Sequence, residues 1–265
     1  MAEPFYIREA TGNAVPIVLS IPHSGTEFPS ELKEHYVESK LASLDDTDWY
    51  LQDLYDFAPS LGITMVHAKY SRWVIDLNRD PKSEPLYDDG RIITGLTPTT
   101  DFLGEPIYKE GKEPDQAEID RRIENYYWPY YRQIREILDE RILEFGKVLL
   151  WDAHSIRAFV PTIREEIFPE MILGDNDEKS AAKELIDITL SNLSSIYELN
   201  HNDPFKGGHI TRYFGNPSEK IHALQLERIK TLYMDDTERD FHPERADKMR
   251  TVLKQNFEDL AAALI

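Results

Sequence analysis

Cysteine is absent from the 265-residue chain, which excludes disulfides, thiolate nucleophiles and cysteine-ligated metal. Any metal chemistry must therefore use His, Asp and Glu. Positive charge is also scarce, with 30 Lys and Arg against 49 Asp and Glu and a net charge of −19. Such a field repels nucleic-acid phosphates and anionic membranes, so neither is an expected partner. It repels small acids too, so an anionic ligand would need a local cluster of Arg or Lys. No run approaches the roughly eighteen apolar residues of a membrane span, and MAEPFYIREA lacks the basic-then-apolar pattern of a secretion signal. A cytoplasmic location is the expectation. What the chain has is apolar material, 41% of residues, enough for one large domain over 1–265.

Apolar runs predict strands at Val15–Ile21, Ile63–Ala68, Trp73–Leu77, Lys147–Trp151, Met171–Gly174, Ser195–Leu199 and Ile221–Leu226. Helical spacing marks Asp46–Phe57, Asp115–Phe145 (ended by Gly146), Lys179–Leu193 and Pro243–Leu264. Strands and helices alternate, which predicts an α/β fold: three layers, a mostly parallel or mixed sheet with helices on both faces. Residues 81–114 contain five Pro and four Gly and read as a long loop or lid.

Ligands of open α/β sheets bind beyond the carboxyl ends of strands. There the sequence places Pro22-His23-Ser24-Gly25, Asp152-Ala153-His154-Ser155, Asn78-Arg79 and Glu227. Each has an ordinary explanation: a hydrogen-bonded loop histidine, a surface acid, or an Arg paired to one of many carboxylates. Two His after two strands, with acids nearby, favour a metal site. Asp48, Asp46 and Glu27 are the candidate carboxylate ligands, and Asp152 either orients a histidine or ligates. Asp46 and Asp48 could equally serve the start of a helix. Glu227, in LQLE after an apolar strand, would act as general base on a water acidified by the metal. Arg72, Asn78 and Arg79 supply the missing cationic element, since a guanidinium matches a carboxylate in bidentate fashion. Lys206-Gly207-Gly208-His209-Ile210-Thr211-Arg212 adds a second basic loop, where Arg212 could grip another carboxylate. A serine hydrolase built on Ser24 or Ser155 is disfavoured, because neither lies in G-x-S-x-G.

The ordered segments VPIVLSIPHSGTEFPSEL, DDTDWYLQDLYD, SRWVIDLNRDP, LWDAHSIRA, GGHITRYFG and IHALQLERIKTLYMD resemble the N-formylglutamate amidohydrolase (deformylase) family over about residues 15 to 236. The resemblance implies a fold like that of zinc-dependent exopeptidases. It also implies hydrolysis of N-formyl-L-glutamate to formate and glutamate, a step of histidine degradation. Carried onto this chain, it implies His23, His154 and Asp48 as ligands of zinc or another divalent metal and Glu227 as the catalytic acid–base. Arg72, Asn78, Arg79, His209 and Arg212 become contacts to a small anionic N-acyl amino acid. The Asn78-Arg79 pair is similar to the Asn-Arg dipeptide with which zinc carboxypeptidases hold a carboxylate. One departure stands out: those peptidases carry His-x-x-Glu, whereas Thr26 follows His23 at that spacing and Glu27 comes one later. The rivals are an amidase for another N-acyl amino acid and a metal-free binding protein on the same fold.

Overall fold

The computed structural model of the protein describes residues 3–82 and 95–265. Its strands are β1 (Phe5–Arg8), β2 (Ile17–Ile21), β3 (Thr64–Ala68), β4 (Val148–Ala153), β5 (Met171–Gly174), β6 (Leu199–His201) and β7 (Ile221–Arg228). Its helices are α1 (Ser30–Lys33), α2 (Glu38–Leu41), α3 (Leu51–Leu54), α4 (Gln116–Arg122), α5 (Trp128–Phe145), α6 (Lys183–Ser194), α7 (His209–Phe214) and α8 (Pro243–Leu264). One sheet forms in the order β1-β3-β2-β4-β7-β5-β6. The central strands β3, β2, β4 and β7 are parallel, while β1 and β5 run antiparallel to β3 and β7. The sheet is thus mixed, as the alternating elements predict.

Strand period sorts the core into two layers. Ile17, Leu19, Ile21, Leu149, Trp151, Leu224 and Leu226 face the side covered by Leu185, Leu193, Leu253, Phe257 and Leu260 of α6 and α8. Val18, Val66, Val148, Leu150, Ile221 and Ala223 face Tyr130, Tyr131, Ile134, Leu138, Ile210 and Phe214 of α5 and α7. Burial of both faces explains why β2 and β4 read as largely apolar runs. On the α5 side the same parity continues into Ser20, Asp152, Gln225 and Glu227. Polar side chains thereby enter the sheet at the carboxyl ends of three adjacent parallel strands.

Several expectations are corrected. Trp73–Leu77 is buried but forms turns, not a strand. Its carbonyls are satisfied by side chains instead of a ladder: Tyr36 and Tyr108 donate to Trp73, Arg122 to Val74, and Tyr131 to Leu77. Asp46–Phe57 is helical only at Leu51–Leu54, because tertiary hydrogen bonds hold the Asp46–Asp48 backbone and side chains. Glu227 lies within β7, not after it. The long helix spans α4 and α5 with a π-turn at Ile123–Tyr127, next to Pro129, which lacks the N–H a continuous α-helix needs. Gly146 ends it at φ 78°, as the sequence indicates. The predicted Ser195–Leu199 strand shifts to Leu199–His201. Within 81–114, residues 83–94 lie outside the described residues, and Leu96, Ile107 and Tyr108 are packed into the core.

Candidate active site

His23 follows β2 and His154 follows β4, and since those strands are neighbours the two imidazoles meet, with centroids 4.9 Å apart. Asp48 arrives from the loop before α3, fixed by its backbone N–H donating to the carbonyl of His23 at 2.9 Å. Its Oδ2 lies 3.4 Å from Nδ1 of His154 and 3.9 Å from Nδ1 of His23. All three side chains are buried, and their ligand atoms lie within 4.8 Å of one another.

The opposite ring nitrogens are anchored. His23 Nε2 donates to Asp76 Oδ1 at 2.7 Å, and His154 Nε2 to Asp152 Oδ2 at 3.0 Å. Asp152 is steadied in turn by the hydroxyl of Ser20 at 3.0 Å. With both Nε2 atoms turned to carboxylates, both Nδ1 atoms face the space beside Asp48. This is the arrangement that carboxylate-oriented histidine ligands take around a metal. Asp48 Oδ2 is buried without a hydrogen-bond partner. An orphaned carboxylate oxygen between two Nδ1 atoms fits a divalent cation, and the donor set suits zinc.

Burial is the largest influence on His23, Asp48, Arg72, Asp76, His154 and Glu227. It takes His23 down to about 4, aided by the Arg72 charge. At His154 burial is overruled by Asp152, Asp48 and Glu227, which keep a second proton on the ring. The negative charge that holds that proton is charge a cation would neutralise. Burial opposes ionisation of Asp76 as well, but Arg72, Arg79 and His23 hold it well below the usual carboxylate range. Glu227 moves the other way: burial, with Asp48 adding repulsion, lifts it to about 7 against the pull of His154 and Arg72. Its carboxylate has no hydrogen-bond or ion-pair partner among the described residues, so a group poised near neutrality stands beside the cluster.

The other predicted residues take different places. Arg72 is buried, donates to Asp76, stacks 4.7 Å over Phe102, and is the guanidinium whose charge acts on His23, Asp48 and Glu227. Arg79 is 3.8 Å from Asp76. Asn78 is engaged by the protein: Oδ1 accepts from Ile210 N–H at 2.8 Å, and Nδ2 faces Gln225 Oε1 at 3.4 Å and His154 Nε2 at 3.1 Å. Because the His154 proton goes to Asp152, the amide N–H goes to Gln225, which also accepts from Gly208 N–H at 2.7 Å. A Cβ on Gly208 would lie 2.2 Å from Asn78 Nδ2, so glycine is required at this crossing. Asn78 thereby ties the glycine loop to the histidine site. Arg212 donates to Gly207 O at 2.9 Å, and the ring of His209 stands 6.0 Å from that of Tyr131.

Two rival carboxylates fall away. Asp46 accepts from Trp73 Nε1 at 2.8 Å and from Phe102 N–H at 3.1 Å, and Glu27 accepts from Tyr6 on the surface. Ser155 bonds Tyr233 at 2.8 Å, and neither Ser24 nor Ser155 hydrogen-bonds a histidine among the described residues. The sequence reading missed Asp76. Asp76 was hidden inside the supposed strand Trp73–Leu77, where a charge in an apolar run was the available signal.

A family model described as N-formylglutamate amidohydrolase matches residues 15–234. An N-formylglutamate deformylase of Pseudomonas putida is 40% identical over 251 residues, 94% of this chain and 93% of its own length. The protein of that name from Pseudomonas aeruginosa gives the same identity and coverage. The crystal structure of N-formylglutamate amidohydrolase from Ralstonia eutropha JMP134 superposes with a TM-score of 0.83 at 26% identity, over 98% of each chain. With this match running through every segment that builds the site, the chain belongs to the N-formylglutamate amidohydrolase family.

Proposed function

We propose that the protein hydrolyses the formyl amide of N-formyl-L-glutamate, giving formate and L-glutamate, with a divalent cation held by His23, Asp48 and His154. Family membership supports the reaction. The observation that carries the cation is the buried, unpartnered Oδ2 of Asp48 between two oriented Nδ1 atoms. The chemistry such an ion supplies when held there is polarisation of a carbonyl and acidification of water.

The chain's own residues do the rest. Asp76 and Asp152 fix the two rings in the tautomer that presents Nδ1. Glu227 takes a proton from the water that attacks the formyl carbon and returns it to the nitrogen as the C–N bond breaks. A carboxyl near 7 suits both directions of transfer. Arg72 and Arg79 stand where they can hold the α-carboxylate, and Asn78 positions His154 and the Gly207–Arg212 loop around them. His209 and Arg212, on the loop that Asn78 ties down, complete this side.

The test is formate release from N-formylglutamate by purified protein, before and after chelation and with zinc added back, with metal content followed by elemental analysis. Release should fall on stripping and return on reloading. No release from any preparation would refute the hydrolysis, and full activity in metal-free protein would refute the cation. N-formylaspartate, N-acetylglutamate and N-formiminoglutamate in the same assay separate this reading from an amidase of another N-acyl amino acid.

A further inference from the structure

A second polar space adjoins the site. A cavity of about 300 Å³ is lined by Asp45, Trp49, Arg157, Lys230, Glu238 and Arg239, among others. Its walls come from the segments that build the site: Asp45 and Trp49 flank Asp48, Arg157 lies three residues after His154, and Lys230 three after Glu227. A parallel bridge between Ile156 and Ile229, with Lys230 N–H donating to Ile156 O at 2.9 Å, locks two of these segments together.

Lys230 is the feature without a purpose in the fold. It is 3% exposed, and its ammonium donates to the carbonyl of Asp45 at 3.2 Å. No carboxylate lies within ion-pair distance of it among the described residues, in a chain with 49 acids. The two acids of the cavity are turned to Arg157: Asp45 Oδ1 is 3.4 Å from its Nη2 and Glu238 Oε2 is 3.5 Å from its Nε, while Glu238 Oε1 accepts from Ala158 N–H. Burial lowers the proton affinity of Lys230, while Asp48 and Glu238 are close enough to favour its charged form. Arg212, the sequence's candidate for a second carboxylate, is instead bonded to Gly207 O. A buried ammonium with donors to spare, opening on a cavity beside a catalytic cluster, is a site for an anion.

We propose that Lys230 binds the side-chain carboxylate of the substrate in this cavity and so sets the preference for a glutamate leaving group over an uncharged or shorter one. The assignment rests on the hydrolysis proposed above, and the α-carboxylate stays with Arg72 and Arg79.

The experiment compares kcat/KM for N-formylglutamate, N-formylnorvaline (no side-chain carboxylate), N-formyl-4-aminobutanoate (no α-carboxylate) and N-formylaspartate. In Lys230→Met the preference for N-formylglutamate over N-formylnorvaline should drop by about 10²-fold, the loss expected for one desolvated charge contact. The preference over N-formyl-4-aminobutanoate should stay. Lys230→Arg keeps a buried cation on a longer arm and guards against a misfolded Met variant. It should shift selectivity several-fold toward the shorter N-formylaspartate. Unchanged ratios in both variants, or a drop confined to the 4-aminobutanoate comparison, would overturn the assignment while leaving the hydrolysis intact. Failure of the unmodified protein to release formate would take both down.

Discussion

Asp76 offers the sharpest test of how the site is held. The substitution Asp76→Asn keeps shape and removes charge. In the native site one oxygen accepts from His23 Nε2 at 2.7 Å and the other takes the guanidinium of Arg72. Asparagine has one acceptor. Arg72 is charged and can only donate, so it claims that oxygen, leaving the amide N–H₂ against His23 Nε2 and against the Asn78 N–H, which in the native site donates at 2.9 Å to the oxygen facing His23. The imidazole must then accept there and carry its proton on Nδ1, the atom meant for the cation. Two losses follow. Stability falls because Arg72 keeps a buried charge without its main counterion, on the order of 3–5 kcal/mol for such a break, toward the lower end because Asp46 and Asp48 remain nearby. Zinc affinity falls about 10–100-fold, as for removal of other ligand-orienting carboxylates. Denaturant unfolding of metal-free protein measures the first, and chelator competition the second. The double variant Arg72→Met with Asp76→Asn tests the cause: no charge is stranded, and the single amide oxygen is free to turn to His23 Nε2, so stability and much of the zinc affinity should both return. Stability restored without zinc affinity would mean that the His23 tautomer does not set the affinity, and the argument would be wrong.

Glu227→Gln should retain bound zinc while kcat falls about 10²–10⁴-fold, the span of a lost general base; loss of the metal itself would show that Glu227 is part of the ligand set. His67 tests pH linkage away from the site. Burial, assisted by Arg8, lowers it to about 4 from 6.5, so it is neutral in the fold but takes up a proton when unfolded below about 6.5. Its contribution is complete above that pH and is lost as the pH falls toward 4. The gap corresponds to roughly 3 kcal/mol at most, and partial exposure reduces it to about 1–2. His67→Gln should flatten the decline in Tm between pH 6.5 and 4 relative to the parent, and parallel curves would refute the linkage.

Much of this protein is decided locally. The apolar runs at β2 and β4 read as strands buried on both faces, and they are; the pattern from Pro243 to Leu264 fits one amphipathic helix, which α8 is. Absence of cysteine restricts metal chemistry to His and carboxylates. The sequence order of His23, Asp48, His154 and Glu227 already marks the family. What sequence could not decide is which polar groups find each other. Asp46, Asp48 and Glu27 are equivalent as letters. Asp46 is consumed by Trp73 and Phe102, Glu27 sits at the surface, and only Asp48 is carried by its hydrogen bond to His23 O into the gap between two imidazoles. Trp73–Leu77 looks like a strand because burial selects the same residues in a loop, and tyrosine hydroxyls across the chain take the place of ladder partners. Asn78 looks like a ligand group and serves as a tie, while Lys230 looks like a surface lysine and is buried. Periodicity records which face of an element meets the core. The pairing of charges depends on which loops the sheet order brings together, and only the folded chain determines that.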